Sequence, residues 1–443
     1  MEERLLREIQ RSNPWWFGRE ETLPEYRRRV FSYVRKYMRT RQIIAVIGLR
    51  RVGKTVLMKQ LIAALDADPK NILFFSFEEK WGKPEVLEDV LYYFLENVAG
   101  EERKYVFLDE IQKVRGWEDV LKRFYDRHMD IKFVVSGSAS IHISRSTESL
   151  AGRIFDIYMP PLTFREFLEL NGVKIIGDAC LEFEVLKKIY EQNLYQKEKI
   201  VNHFHEYLFK GGFPEIAQEE DEEIIQRYIS NSVVERILLK DLPGEYRIKK
   251  LVALREILEY AARETAGILV IDKVSSLLNL NKETVSNYLE YLKRAFLIYV
   301  IYNYTRSAAR QIRTSKKIHI VLPSVAMALE YYDKNALLFP EVTGRYVESM
   351  VAVFLSYRYR RIFFWRTPQK DEVDVIVEDE ALLPIEVKYK SHVTRHDVKS
   401  VLKFCRRFGA KKAIIVTRDL LRAEKIDDKE IIYVPAWLFM LAI

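Results

Sequence analysis

Apolar positions fall along this chain in two rhythms. Five short, nearly unbroken apolar runs, RQIIAVIG, NILFFSF, KYVFLDE, IKFVVSG and IFDIYMP, have the length of buried strands. Between them, stretches such as 86–97 and 118–127 repeat apolar residues at the spacing of an amphipathic helix. This alternation predicts an α/β fold, a parallel sheet covered by helices. The first forty residues read as helical. From 163 to about 247 the strand-like runs stop and helical patterns take over, interrupted by GGFPE. Residues from about 248 to 323 predict a compact helical unit followed by a hairpin rich in Tyr and Ile. From 344 onward the pattern predicts a helix, three strands, a helix and a strand.

Length and composition bound the picture. At 443 residues the chain is too long for one ordinary domain. Its 49% hydrophobic and 31% charged content is that of a soluble globular protein rather than a disordered one. The formal net charge of +8 hints at an acidic partner only where the charge is clustered. Cys180 and Cys405 match no metal or redox motif, so reduced thiols in a cytoplasmic setting are expected. MEERLLREIQRS lacks an apolar signal core, and the longest apolar runs are too short to span a bilayer, so no membrane partner is expected.

The chemistry begins with Gly48-Leu49-Arg50-Arg51-Val52-Gly53-Lys54-Thr55, which fits G-x-x-x-x-G-K-S/T between an expected strand and an expected helix. Backbone N–H groups of Arg50, Arg51, Val52, Gly53 and Val56 are placed to close around phosphate oxygens at a helix N-terminus. Lys54 neutralises phosphate charge, and Thr55 offers a hydroxyl to Mg²⁺. The expected cofactors are therefore ATP and Mg²⁺. The strand at 105–108 ends in Asp109 and Glu110, the first to hold hydrated Mg²⁺ and the second to polarise the attacking water. One strand later, Ser136 or Ser138 stands where a hydroxyl senses the γ-phosphate.

The strings GLRRVGKT, FLDEIQKVRGWED, VVSGSAS and SLAGRIFDIYMPPLTFREFLEL together resemble archaeal and bacterial AAA+-type ATPases with a C-terminal nuclease-like region, close to the STAND signalling ATPases. The resemblance covers nearly the whole chain. It implies that Arg153 is an arginine finger, acting in cis or on a neighbouring subunit of a homo-oligomer. It also implies that Gly211-Gly212-Phe213-Pro214 is the glycine–proline element with which such lids cover adenine, so Pro214 is a nucleotide-binding residue. Asn13-Pro14-Trp15-Trp16 is similar to the family's N-terminal segment. The pair of tryptophans is better suited to packing a core than to stacking a base.

Two short helices are predicted at 271–278, with Asp272 as N-cap, and at 282–294, with Val285, Leu289 and Leu292 facing inward. A tight turn joins them and a hairpin follows, the order of a winged helix-turn-helix. Lys282, Thr284, Ser286, Asn287 and Tyr288 are read on the outward face of the second helix. Arg306, Arg310, Arg313, Lys316 and Lys317 are read on the hairpin, in a stretch with no acid between Glu290 and Glu330. DNA is the partner this asymmetry predicts, with a nucleotide lid or a protein-docking module as the alternative.

Beyond 344, Glu348 lies on a helix, Asp374 on a strand, and Glu386 and Lys388 on the next strand. Strand alternation puts Glu386 and Lys388 on one face and Asp374 beside them. Two carboxylates on adjacent strands predict a Mg²⁺ site with Lys388 near the water. The order resembles the restriction-endonuclease-like, or PD-(D/E)xK, nuclease core, and that resemblance makes Glu348, Asp374, Glu386 and Lys388 the four catalytic positions. The expected layout is a P-loop ATPase core over 1–162, a helical lid over 163–247, a winged helix-turn-helix over 248–343 and a nuclease-like α/β domain over 344–443. The expected function is a magnesium-dependent ATPase that engages DNA. Its rival is a STAND-type switch that binds protein partners and uses its last domain only as a scaffold.

Overall fold

The computed structural model describes residues 2–78, 81–137, 150–177, 180–307 and 314–443. Ser138, Arg310 and Arg313 lie outside them. The chain divides into two compact units, Met1–Pro161 and Leu162–Ile443. No helix among the described residues is long and apolar enough to cross a membrane.

The first unit is built on the five apolar runs. They form β1 (Ile43–Ile47), β2 (Ile72–Ser76), β3 (Lys104–Asp109), β4 (Ile131–Gly137) and β5 (Ile154–Tyr158). The sheet order is β2-β3-β4-β1-β5, and every pairing is parallel. β1 and β4 are buried throughout, as runs without alternation require of strands covered on both faces. Helices Lys54–Ala63, Pro84–Asn97 and Trp117–Arg127 connect the strands. Because all strands run the same way, Gly48, Asp109 and Gly137 emerge at one edge, the usual place for a ligand in an open α/β sheet.

The N-terminal segment is less helical than expected. Helices cover Glu3–Ser12 and Val30–Tyr37, with one short turn at Pro14–Phe17 between them. Pro14, Pro24 and a left-handed Gly18 (φ 68°) break the pattern. Asn13 exchanges hydrogen bonds with the Phe74 backbone (2.7 and 2.9 Å), and the indoles of Trp15 and Trp16 both donate to the Ile72 carbonyl. The tryptophans thus seal the outer edge of β2.

Among the described residues the second unit carries a nine-stranded mixed sheet. Its strands are β6 (Gly267–Leu269), β7 (Ile298–Asn303), β8 (Lys316–Ile320), β9 (Ile362–Arg366), β10 (Glu372–Glu378), β11 (Leu382–Lys388), β12 (Lys412–Thr417), β13 (Arg422–Ile426) and β14 (Lys429–Pro435). Their order is β13-β14-β12-β11-β10-β9-β7-β8-β6. Helices Ile271–Leu277 and Lys282–Arg294 are joined by a turn with left-handed Asn279, and Val285, Leu289 and Leu292 are buried. Asp272 does not cap the first helix: Val270 holds that position, and Asp272 pairs with Lys282 at 2.9 Å. Tyr288 faces inward, not outward, and its hydroxyl accepts from the Lys250 N–H.

β7 and β8 pair antiparallel, and β7 also pairs parallel with β9 at Tyr302 and Phe363. One sheet therefore runs across the expected boundary at 343/344. The chain also continues past the expected last strand into β13, β14 and the fully buried helix Ala436–Ala442.

Candidate functional site

The loop after β1 is shaped by residues that tolerate unusual backbone. A Cβ on Gly48 would lie 2.4 Å from the Met159 carbonyl oxygen, so only glycine fits against the end of β5. Arg51 (φ 66°) and Gly53 (φ 98°) are left-handed, which turns successive N–H groups toward the loop's interior ahead of helix Lys54–Ala63. Lys54 is buried, and its ammonium donates to the carbonyls of Gly48 and Leu49 at 3.1 and 3.0 Å. Arg50 pairs with Glu78 at 3.0 Å. Arg28 braces the whole loop. Its guanidinium donates to the carbonyls of Val52 (2.8 Å), Pro160 (2.9 Å) and Pro161 (3.2 Å), joining the loop to the segment after β5. Sequence reasoning missed Arg28, because it belongs to no motif and lies twenty-four positions before its partner.

The acidic pair lies beside the loop. Thr55 Oγ1 donates to Asp109 Oδ2 at 2.9 Å, and the Ser136 hydroxyl donates to Asp109 Oδ1. The Glu110 N–H donates to Ser136 Oγ at 3.2 Å, and Ser76 Oγ reaches Asp109 Oδ2 at 3.4 Å. Ser136 is thus engaged in holding both acids. Burial, then the neighbouring Glu110 charge, raises the Asp109 pKa. A carboxylate in that position gains from a cation, and the Thr55 hydroxyl supplies a second hard oxygen, so this pair fits Mg²⁺. Glu110 adopts a left-handed backbone (φ 53°), and its carboxylate accepts from Gln112 Nε2 at 2.7 Å. Gln112 orients the acid expected to act on water, and it was not foreseen.

Arg153 sits elsewhere. Its carbonyl accepts from Ile43 N–H, at the amino end of β1, and its guanidinium grips Asp126 with two bonds of 2.9 and 3.2 Å. β1 and β5 run parallel from that end, with Ile43 beside Ile154. The phosphate loop lies at the far end, a strand length of about 16 Å away. A cis contact between Arg153 and its own nucleotide is therefore out of reach.

Pro214 opens a short turn in the second unit. A Cβ on Gly211 would meet the Tyr207 carbonyl at 2.3 Å, and one on Gly212 (φ 99°) would meet Leu322 at 2.4 Å. The turn is held by Leu162 N–H to Gly212 O (2.8 Å) and by Ser324 Oγ to Gly211 O (2.8 Å).

The C-terminal carboxylates do converge. Asp374 lies at a bulge between β9 and β10, where the register slips between Val373 and Ile376. Its Oδ2 accepts from Val387 N–H at 2.9 Å, and its own N–H reaches Glu386 Oε2 at 3.3 Å. Lys388 Nζ donates to Glu386 Oε1. The unforeseen member is Lys317 on β8. It is 2% exposed, and its ammonium lies 2.5 Å from Glu348, 2.7 Å from Glu372 and 3.2 Å from Asp374. The expectation that Lys317 touches DNA is overturned: the sheet turns it inward among acids.

Burial alone would lower the Lys317 pKa, but Glu348, Asp374 and Glu372 outweigh it and hold the ammonium charged. Burial and the Asp374 charge raise the pKa of Glu348 and Glu386, and Lys317 and Lys388 respectively pull against that rise. Two residues along β8, His319 is fully buried with neither ring nitrogen hydrogen-bonded, and burial followed by the Lys317 charge brings it down to about 3. Among the described residues no group of three or more His, Cys, Asp or Glu is placed to hold a metal. The Mg²⁺ expected at Asp374 and Glu386 does not fit this donor set, because Lys317 pairs with Asp374 and Lys388 with Glu386, and the remaining oxygen of each acid accepts from a backbone N–H.

Of the expected DNA contacts, Lys282, Asn287 and Arg306 are exposed, and Thr284 and Lys316 are half-buried. Arg306 lies over the Phe408 ring and Lys316 over Tyr302.

Residues 40–168 match a family described as an AAA domain. Residues 201–336 and 343–439 match two families described only as domains of unknown function, DUF8612 and DUF4143. An uncharacterized protein of Methanocaldococcus jannaschii is 28% identical over 424 residues, covering 91% of this chain and 85% of its own. An uncharacterized protein of Haemophilus influenzae is 25% identical over 411 residues, covering 89% and 94%. A Walker-type ATPase of Pyrococcus abyssi superposes with a TM-score of 0.46 and 17% identity over 70% of this chain and 98% of its own. The first unit thus carries an AAA-type P-loop domain.

Proposed function

We propose that this chain is an ATP-hydrolysing AAA-type switch or motor that engages DNA through a winged helix at 248–343. The observation that carries the ATPase reading is the chain of contacts from Thr55 through Asp109 and Ser136 to Glu110 at the mouth of the phosphate loop. In this reading the loop N–H groups bind the phosphates, and Lys54 swings from the loop carbonyls to the β and γ phosphates. Thr55 and Asp109 would hold Mg²⁺, which when bound neutralises charge on the β and γ oxygens. Glu110, steadied by Gln112, orients a water for in-line attack. Arg153 serves a neighbouring copy, and residues 163–247, with Pro214, form the lid.

The test separates binding from turnover. Lys54→Ala should abolish ATP binding, whereas Glu110→Gln should keep ATP and lose about 100-fold or more in kcat. Undiminished hydrolysis in both variants would remove the assignment.

A second reading is favoured by one observation, the Lys317 ammonium among the C-terminal acids. In it the chain is a STAND-type switch for protein partners, and residues 344–443 are a non-cutting scaffold. Duplex DNA binding measured across a salt series distinguishes the two.

A further inference from the structure

The region beyond residue 340 gathers the acids of a hydrolytic metal site and then fills their centre with a side chain. We propose that Lys317 is the resident cation of the C-terminal carboxylate cluster, so that this cluster binds no divalent metal and cuts no nucleic acid. This inference stands on the second unit's geometry alone, independent of the ATPase reading.

The three acids come from two elements. Glu348 projects from helix Pro340–Arg358, and Glu372 and Asp374 from β10. All three lie 2.5–3.2 Å from one ammonium, within ion-pair distance. The ammonium donates hydrogen bonds to Glu348 and Asp374 and forms an ion pair with Glu372. The ring of Phe364, 5.9 Å away, faces the same nitrogen. The fourth acid, Glu386, has its own counter-ion in Lys388, and Glu372 has a second in Arg366 at 3.3 Å. Lys388 alone matches what hydrolysis asks of a lysine, one cation at the margin of an acidic pair. Lys317 is a second lysine placed at the centre.

The plug is built into the sheet. β8 is hydrogen-bonded to β6 on one side and β7 on the other, so Lys317 cannot leave by a backbone movement without breaking both pairings. Nor can a divalent ion share the three oxygens with an ammonium in contact with all of them, since like charges at that separation repel strongly in a buried site. The cluster is therefore an ion-pair node that ties β8 to β10 and to helix Pro340–Arg358. Breaking such a node by removing one partner leaves uncompensated buried charge. That charge would suit Mg²⁺ or Mn²⁺, hard ions that take carboxylate oxygens.

The test uses the full chain without nucleotide and counts bound Mn²⁺ by electron paramagnetic resonance at about 1 mM metal. Wild type and Asp374→Asn should bind the same amount. Lys317→Met, which keeps the stem's bulk and removes the charge, should gain one Mn²⁺ per chain, and adding Asp374→Asn should remove that gain. Should Lys317→Met fail to fold, the comparison of wild type with Asp374→Asn and with Glu386→Gln decides alone. A Mn²⁺ held by the wild type and lost in either of those variants would overturn the proposal. So would Mg²⁺-dependent cutting of single-stranded, duplex or branched DNA by the wild type that Asp374→Asn abolishes.

Discussion

Arg28 closes the phosphate loop against the segment after β5 with one buried guanidinium and three carbonyl acceptors. Arg28→Ala should leave Lys54 and Thr55 in sequence but loosen the loop that aims them. We expect the KM for ATP to rise about tenfold, alongside a stability loss of about 1–3 kcal/mol for the orphaned carbonyls. A KM unchanged within twofold would show that the loop holds its shape without the brace. His319 makes a different prediction. Its folded-state pKa of about 3 lies below the ordinary value of 6.5, so the folded chain stays neutral there while the unfolded chain takes up a proton. Stability should therefore fall as pH drops from about 6.5 towards 3, by up to about 1.4 kcal/mol per pH unit from this residue. Denaturant titrations of His319→Leu between pH 7 and 4 should show a shallower decline than the wild type, and parallel declines would refute it. At this scale the phosphate-binding residues were legible because their chemistry demands fixed types at fixed spacing. Arg28, Gln112 and Lys317 were not, since each acts through a fold-specific neighbour.

The helix Lys282–Arg294 was legible to its ends, because Asn281 caps it and its apolar stripe keeps helical spacing. The five parallel strands were equally clear, as unbroken apolar runs are. β13 was missed because it is a short, half-exposed strand at the sheet margin with no regular alternation, and helix Ala436–Ala442 because a fully buried apolar run has no period to betray it. The bulge that turns Asp374 toward Lys317 leaves no mark in the residue pattern at all. For the proposed winged helix, the residues available to phosphates now exclude Lys317. Replacing Arg306 and Lys316 with alanine should weaken duplex binding and lower the log–log salt slope by about two. The unchanged slope of a solvated hairpin would return this element to a docking or lid role.

At the scale of the molecule, the nine-stranded sheet makes 248–343 and 344–443 poor candidates for separation. Cutting between them would expose β7 and β9 as raw edges and split Lys317 from all three of its acids. Each half expressed alone should aggregate or melt without a cooperative transition, whereas Leu162–Ile443 together should melt as one. A cooperative transition from the isolated 344–443 piece would show that its core suffices. In the first unit, Arg153 and the phosphate loop occupy opposite ends of the same parallel strands. If this arginine aids hydrolysis, it does so for a nucleotide held by another copy, and Asp126 must first release it. Turnover then acquires a reaction order above one in protein. Diluting the chain should lower the rate per molecule, and Asp126→Asn should shift that dependence to lower concentration, so that the length of one strand becomes a gauge of crowding.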